Sequence, residues 1–502
     1  MSEDLVRRVR ALEAVARALE PDAEARAAIR DPAIAYAEGF LDALADLPAF
    51  EGDQSLATGI ARVSFGEEPT DIATLLELLA RHVDNSGLNP ASGGHLGYIP
   101  GGGIYTSAVG DYLADVTNRY SGVYYASPGG ALLEHHLLDW MARLIGYPAK
   151  AAGTFCSGGS IANLTAIVAA RDARGLRAAD TPRVVTYLTA QTHHSVPKAL
   201  RIAGLGESVT RLVALDDRYR MRADVLEQLV RADREAGLLP WLVVSSAGST
   251  DVGAVDPLEA IADVATAHGL WHHVDGAYGA FFALTADGRA ILRGMERSDS
   301  IVMDPHKTLF LPYGSGVVLV RDRAHLLRAF TMEAAYMQDA LAHRVELSPA
   351  DLSAELTRPF RGLRLWLPLL LHGLAPFRAA LEEKLLLARY FRARAAELGY
   401  EVGPEPDLSV VIYRYLPVAM RKGDVPRDPE AQNRINRRIL ERIHQDGRVF
   451  ISSTLLDGFF TLRFACVVHR THLETVDLLL ALLAAAAAAE ERPAQVASPT
   501  TC

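Results

Sequence analysis

Between Ala131 and Val320 the chain alternates helical stretches with short β-branched runs, and this alternation constrains the fold more than any other feature. Helical patterns over Ala131–Ile145, Ser160–Ala173, Val196–Gly204, Asp224–Ala236 and Asp256–His268 are interleaved with apolar runs. Those runs are Val184–Leu188, Leu212–Leu215, Trp241–Ser245, Leu270–Val274, Ile301–Met303 and Gly316–Val320. Short strands separated by helices of that length make a mainly parallel sheet covered on both faces, an α/β domain. Ligands of such domains bind outside the carboxyl ends of the strands.

The flanks differ in character. Residues 1–88 read as helices: Leu5, Val9, Leu12, Val15 and Leu19 make one apolar stripe, and further helices are expected at Pro32–Leu47 and Thr70–Val83. A one-sided apolar helix needs a surface to cover, and a second subunit is one candidate. Asn89–Pro128, rich in glycine and tyrosine, reads as loop and channel sequence. After the α/β region come helices at Leu363–Leu371, Leu381–Leu398 and Gln432–Gln445. Strands are expected at Ser409–Tyr415, Arg448–Ser453 and Phe459–Cys466, a smaller α+β domain. The expected division is 1–88 helical arm, 89–365 large domain, 366–490 small domain and 491–502 disordered tail.

At 502 residues the chain is long enough for two or three cores. A net charge of −10 leaves no basic footprint, so no nucleic-acid partner is expected. Cys156, Cys466 and Cys502 are widely spaced and make neither a metal-ligand set nor a disulfide framework, which suits a reducing cytoplasm. The charged opening MSEDLVRRVR is not expected to be a signal peptide, and Leu478–Ala489 is too short to span a bilayer.

Chemistry concentrates at the expected strand ends. Cys156–Asn163 (CSGGSIAN) opens a helix, where free amides suit an anion and Ser160 can cap the first turn. Thr189–Lys198 carries His193 and His194, which cannot both face one site if the backbone is extended. SSAGST ends one strand at Thr250, and Asp275 ends another within LWHHVDGAYG. In SIVMDPHKTLF, Pro305 stops the strand and Lys307 precedes the apolar Leu309–Leu311, whose desolvation favours a nucleophilic amine. A phosphate cradle, a stacking histidine, a carboxylate for a ring nitrogen and a lysine together suit pyridoxal 5′-phosphate.

In the order SGGSIAN, THHSV, HVDGAYG and DPHK, the chain resembles the group II pyridoxal-phosphate-dependent amino acid decarboxylases, from about Asn89 to about Gly373. The resemblance implies fold type I with a seven-stranded sheet, and a homodimer. It implies that Lys307 binds the cofactor aldehyde, Asp275 keeps the ring nitrogen protonated and His193 stacks on the ring. Gly159, Ser160 and His306, with help from Asn163, would hold the phosphate; Thr250 and Ala277 would line the ring. Asp304 belongs to the same cofactor-binding set, at a position where the family usually has asparagine. Tyr98 and Pro100 match a segment at the substrate entrance, with Tyr120 a further aromatic candidate. Arg358 matches an arginine near the substrate carboxylate, and Tyr336 matches a loop tyrosine that reaches the partner subunit's site as a proton donor, with Tyr336 or His193 returning the proton to Cα.

The expected reaction is decarboxylation of an L-amino acid to a primary amine, with an aromatic substrate slightly favoured. A same-fold aminotransferase, a carbon–carbon lyase or an oxygen-dependent aldehyde synthase are the alternatives. Tyr336 argues against the last, which typically has phenylalanine there. An intact Lys307, Asp275 and His193 make a non-catalytic binder a poor fit. Three departures from the family pattern bear on substrate: His95 and Leu96 replace an aromatic pair, Gly101–Gly103 follow Pro100, and Gly276 stands where alanine is common.

Overall fold

The computed structural model describes residues 2–332 and 346–491. In chain order the strands are Phe50–Glu51 (β1), Gly87–Leu88 (β2), His95–Leu96 (β3), Ala152–Cys156 (β4), Val184–Leu188 (β5), Val209–Leu212 (β6) and Leu239–Ser246 (β7). Then follow Trp271–Asp275 (β8), Ser300–Met303 (β9), Gly316–Val320 (β10), Tyr400–Val402 (β11), Val410–Tyr415 (β12), Phe450–Leu456 (β13) and Phe459–Ala465 (β14).

The large sheet has seven strands in the order β4-β10-β9-β8-β7-β5-β6. Strands β9, β8, β7, β5 and β6 run parallel, while β10 is antiparallel to both β9 and β4. All the residues of β5, β8, β9 and β10 are buried, as expected of a sheet covered on both faces. Strand β4 escapes a reading by β-propensity, because its sequence AGTFC contains a single aromatic and one β-branched residue. Strand β6 lies three residues earlier than Leu212–Leu215. It pairs Leu212 with Leu188 and alternates half-buried with exposed residues, while Leu215 makes only an isolated bridge to Met221.

The small sheet is β11-β12-β14-β13-β3. Its last member comes from far upstream: His95 and Leu96 pair in parallel with Phe450 and Ile451. The channel segment is also more regular than its composition suggests. Tyr105–Thr117 is a helix whose buried residues, Ser107, Gly110 and Ala114, are small, so no large apolar stripe marks it. They admit Leu363–His372 at close range: Ser107 Oγ donates to the Arg364 carbonyl at 2.7 Å, and a Cβ on Gly110 would lie 2.9 Å from the Leu363 oxygen.

At the N-terminus, Ser2–Ala16 is a helix with an exposed apolar stripe, and Leu19 beyond it is 87% exposed. The next helix, Ala23–Ala43, starts ahead of Pro32 because Asp22 caps it, accepting from the Ala25 amide at 2.9 Å. At the other end, Leu473–Glu491 packs Val476, Leu479, Leu480 and Leu483 into the small-domain core.

Candidate active site

Strands β5, β7, β8 and β9 present their carboxyl ends to one cavity of about 380 Å³. Ten residues singled out in the sequence line it: Gly159, Ser160, Asn163, His193, Thr250, Asp275, Ala277, Asp304, His306 and Lys307.

Strand β9 delivers the lysine. Asp304 follows its last residue and is the N-cap of a single helical turn, Pro305–Thr308, with Pro305 at the first helical position. Lys307 therefore sits on a helical turn rather than a loop. Leu309, Phe310 and Leu311 are buried beneath it, while its own side chain keeps 23% exposure and reaches Asp304 Oδ2 at 3.1 Å. Asp304 is itself buried. Its Oδ1 has no hydrogen-bond partner among the described residues, and its oxygens lie 2.8 Å and 2.7 Å from where Cβ atoms on Gly159 and Gly316 would stand. Those two glycines make room for the carboxylate.

Helix Gly159–Ala173 starts at the cavity. Its N-cap is Gly158, which offers no side chain to the first-turn amides, so Ser160 lies inside the first turn and is not the cap. His306 Nδ1 donates to the Ser315 carbonyl at 2.5 Å, and burial holds its ring below the usual histidine range. His193 is half-buried on the cavity wall and His194 exposed. Burial lowers the His193 pKa, aided by His194 and Lys307 and opposed by Asp275 and Asp304. Asp275 ends β8. Its Oδ1 accepts from the Ala277 amide at 3.2 Å and its Oδ2 from Asn163 Nδ2 at 3.1 Å. Asn163, also on the cavity lining, directs its amide to Asp275 and to Ser195 Oγ, at 3.0 Å.

The residues expected on the substrate side are dispersed. Tyr98, Pro100, Tyr120 and Arg358 are not among the cavity's lining residues. Tyr98 is 55% exposed in a left-handed backbone conformation. Arg358 is fully buried: it pairs with Glu134 and donates to Thr154 Oγ1 at 3.1 Å, so its charge is already compensated away from the cavity. Tyr336 lies outside the described residues.

Other residues of the site were not singled out. Gln191, Ser195, Ser246, Tyr278 and Tyr313 line the cavity. Tyr278 is buried, and its hydroxyl accepts from the Ser409 amide at 2.8 Å, joining the ring wall to the small domain. From β14, Arg463 donates to the Asp251 carbonyl at 2.7 Å and to the Thr250 carbonyl, fixing the Thr250 loop. Two of the family departures have steric reasons. A Cβ on Gly101 would lie 2.3 Å from the His306 carbonyl oxygen, so glycine lets this loop lie on the lysine turn; a Cβ on Gly276 would lie 2.9 Å from the Val302 oxygen.

The donor set suits pyridoxal 5′-phosphate: an uncapped helix start and a histidine for a phosphate, a buried strand-end carboxylate for a ring nitrogen, and an accessible amine. With the sheet, this defines a pyridoxal-phosphate protein of fold type I. More narrowly, the chain belongs to the family described as the pyridoxal-dependent decarboxylase conserved domain, whose model matches residues 63–416. It is 33% identical to an aromatic-L-amino-acid decarboxylase of Bacillus atrophaeus over 430 residues, 85% of this chain and 88% of that protein. It is 32% identical to tyrosine decarboxylase 2 of Arabidopsis thaliana, over 72% of this chain and 68% of that one. The crystal structure of Oryza sativa TDC with PLP and tryptamine superposes with a TM-score of 0.88 at 26% identity, covering 94% of this chain and 99% of that one. The chain is accordingly a pyridoxal-phosphate-dependent carboxy-lyase acting on an amino acid.

Proposed function

We propose that the protein releases CO₂ from an aromatic L-amino acid and yields the corresponding primary amine. The observation that carries this reading is one cavity holding Lys307, Asp275 and His193 in a decarboxylase-family chain. Relatives named for aromatic substrates favour that substrate class. Pyridoxal phosphate, when bound, supplies a ring that draws electrons from Cα as the carboxylate leaves.

This chain's residues would then act as follows. Lys307 offers its Nζ to the cofactor aldehyde, and Asp304 orients that amine from 3.1 Å. The Asp275 carboxylate holds a proton at the ring nitrogen, because a nearby negative charge favours the protonated form. The neutral His193 packs on the ring face, and Thr250 and Ala277 bound it. Gly159, Ser160 and His306 hold the phosphate at the start of helix Gly159–Ala173. Tyr98, Pro100 and Tyr120 are proposed as substrate contacts completed in a homodimer, and Tyr336 as the donor of a proton to Cα. The exposed stripe of Leu5, Val9, Leu12 and Val15 supports the dimer, with residues 1–88 as its arm, 89–365 as the large domain and 366–490 as the small one. A cytoplasmic location is part of this reading; among the described residues no helix is long and apolar enough to cross a membrane.

The test is CO₂ release from the twenty amino acids plus ornithine and diaminobutyrate, with product analysis. Tryptophan, tyrosine or phenylalanine should lead, with amine formed in step. Release from an acidic or basic amino acid alone would overturn the substrate class. Borohydride reduction should leave the cofactor on the Lys307 peptide; an adduct on Lys198 would remove the central assignment.

A further inference from the structure

Behind the cavity runs a buried chain of hydrogen bonds that meets at Asn163. Its Nδ2 donates to Asp275 Oδ2 at 3.1 Å and to Ser195 Oγ at 3.0 Å. Ser195 Oγ lies 2.7 Å from His193 Nδ1. On the far side His273 Nε2 lies 2.8 Å from Asn163 Oδ1, and His273 Nδ1 lies 2.8 Å from Ser300 Oγ. Ser300 Oγ also accepts from Trp271 Nε1 at 2.9 Å. Asn163, Ser195, His273 and Ser300 are each at least nine-tenths buried, which strengthens the bonds between them.

The donors and acceptors fit together in one arrangement. Turning the Asn163 amide over would set its oxygen against the Asp275 carboxylate, so Nδ2 faces Asp275. A carboxamide oxygen only accepts, hence His273 donates from Nε2 and its Nδ1 accepts from the Ser300 hydroxyl. Both Asn163 amide hydrogens are then committed, one to Asp275 and one to Ser195. Ser195 Oγ accepts that hydrogen and gives its own to His193 Nδ1, toward which the Ser195 amide also points at 3.3 Å. His193 Nδ1 is therefore an acceptor, and a neutral His193 carries its proton on Nε2. Burial takes His273 down to about 4 and moves His193 in the same direction, so both rings are neutral near pH 7.

We propose that Asn163 is a positioning residue that couples the Asp275 carboxylate to the tautomer of His193. Through Ser195 it leaves Nε2–H as the polar group that His193 offers to the cavity. Its other amide hydrogen fixes the rotamer of Asp275. The inference rests on the reading of Asp275 and His193 as cofactor-facing residues. It adds a second role for the SGGSIAN segment, distinct from an anion site at the helix start.

The experiment uses holoenzyme labelled with ¹⁵N-histidine, with His193 identified by the resonances lost in His193→Gln. Wild type should show His193 Nδ1 unprotonated and Nε2 protonated. Ser195→Ala and Asn163→Ala should raise the fraction of the Nδ1-protonated tautomer measurably above wild type, with the Ser195 amide still favouring the Nε2-protonated form. A protonated Nδ1 in wild type, or an unchanged tautomer in Ser195→Ala, would overturn the proposal. Ser195→Ala removes a single oxygen and decides this half even if Asn163→Ala proves insoluble. Where both fold, turnover gives the coupling: Ser195→Ala should lower it about tenfold in wild type but under about threefold in the Asn163→Ala background. Equal losses in the two backgrounds would mean that the residues act independently. A failed tautomer pattern with the borohydride adduct still on Lys307 would sink the relay and leave the proposed function standing.

Discussion

Asp275 ends β8 with both carboxylate oxygens taken by local donors, Asn163 and the Ala277 amide, and this separates it from a plain strand-end cap. It faces the cavity that Lys307 and His193 also line. Asp275→Asn preserves shape and removes charge. Turnover should fall by about two orders of magnitude or more, the scale of losing one preorganised electrostatic partner, with the cofactor still bound. Single-turnover kinetics and the retained cofactor absorbance check this; near-normal turnover would reduce Asp275 to a structural cap. Asp304 shows the same economy one strand away. A carboxylate there gives the lysine amine a charged partner at 3.1 Å and needs glycine at 159 and 316 to fit.

Among the elements, helix Pro128–Leu144 is tied to the segment ahead of Leu363–His372 by a buried ion pair. Arg358 and Glu134 have side chains essentially inaccessible to solvent, and Glu134 Oε1 also accepts from the Gly362 amide at 3.2 Å. Burial raises the Glu134 pKa and Arg358 opposes it. Removing one partner strands the other charge, so Arg358→Ala should cost about 3–5 kcal/mol of stability in urea denaturation. The fraction that remains folded should show an unchanged KM for the amino acid. A raised KM with unaltered stability would return Arg358 to the substrate.

At the scale of the whole molecule, the apolar stripe on Ser2–Ala16 is solvent-exposed in a single chain, and mutual burial in a dimer would offset that. Deleting residues 1–87 should give insoluble or inactive protein; a soluble, active monomer on sizing chromatography would refute the arm's role. Acid should also weaken the fold. Burial takes His95, His273 and His469 to about 4 and His272 to about 3. Unfolded histidine titrates near 6.5, so between about 6.5 and 4 the unfolded chain binds more protons than the folded one. The stability from these rings is complete above about 6.5 and is lost as pH falls, by up to about 1.4 kcal/mol per pH unit for each ring. Thermal melts at pH 7 and pH 5 should differ accordingly, and His272→Asn should flatten the slope.

What the sequence determined by itself is local or periodic. Helix and strand alternation specified the parallel sheet, because each element carries its own pattern of apolar spacing. Ten residues that line the cavity were legible since they fall at or just beyond strand ends, which the topology converges on one edge. What only the tertiary structure decided depends on partners distant in the chain. Nothing near residue 95 shows that His95–Leu96 extends the small sheet beside Phe450, since two-residue strands carry no period. The helix Tyr105–Thr117 hid because it buries Ser107, Gly110 and Ala114, where close approach matters more than apolar area. Nothing near Arg358 in the sequence shows that Glu134, 224 residues away, pairs with its charge. That the Asn163 amide lies between Asp275 and Ser195 is likewise set by the fold. A hydrogen bond's direction is fixed by which acceptor lies across the gap, and that is decided by packing.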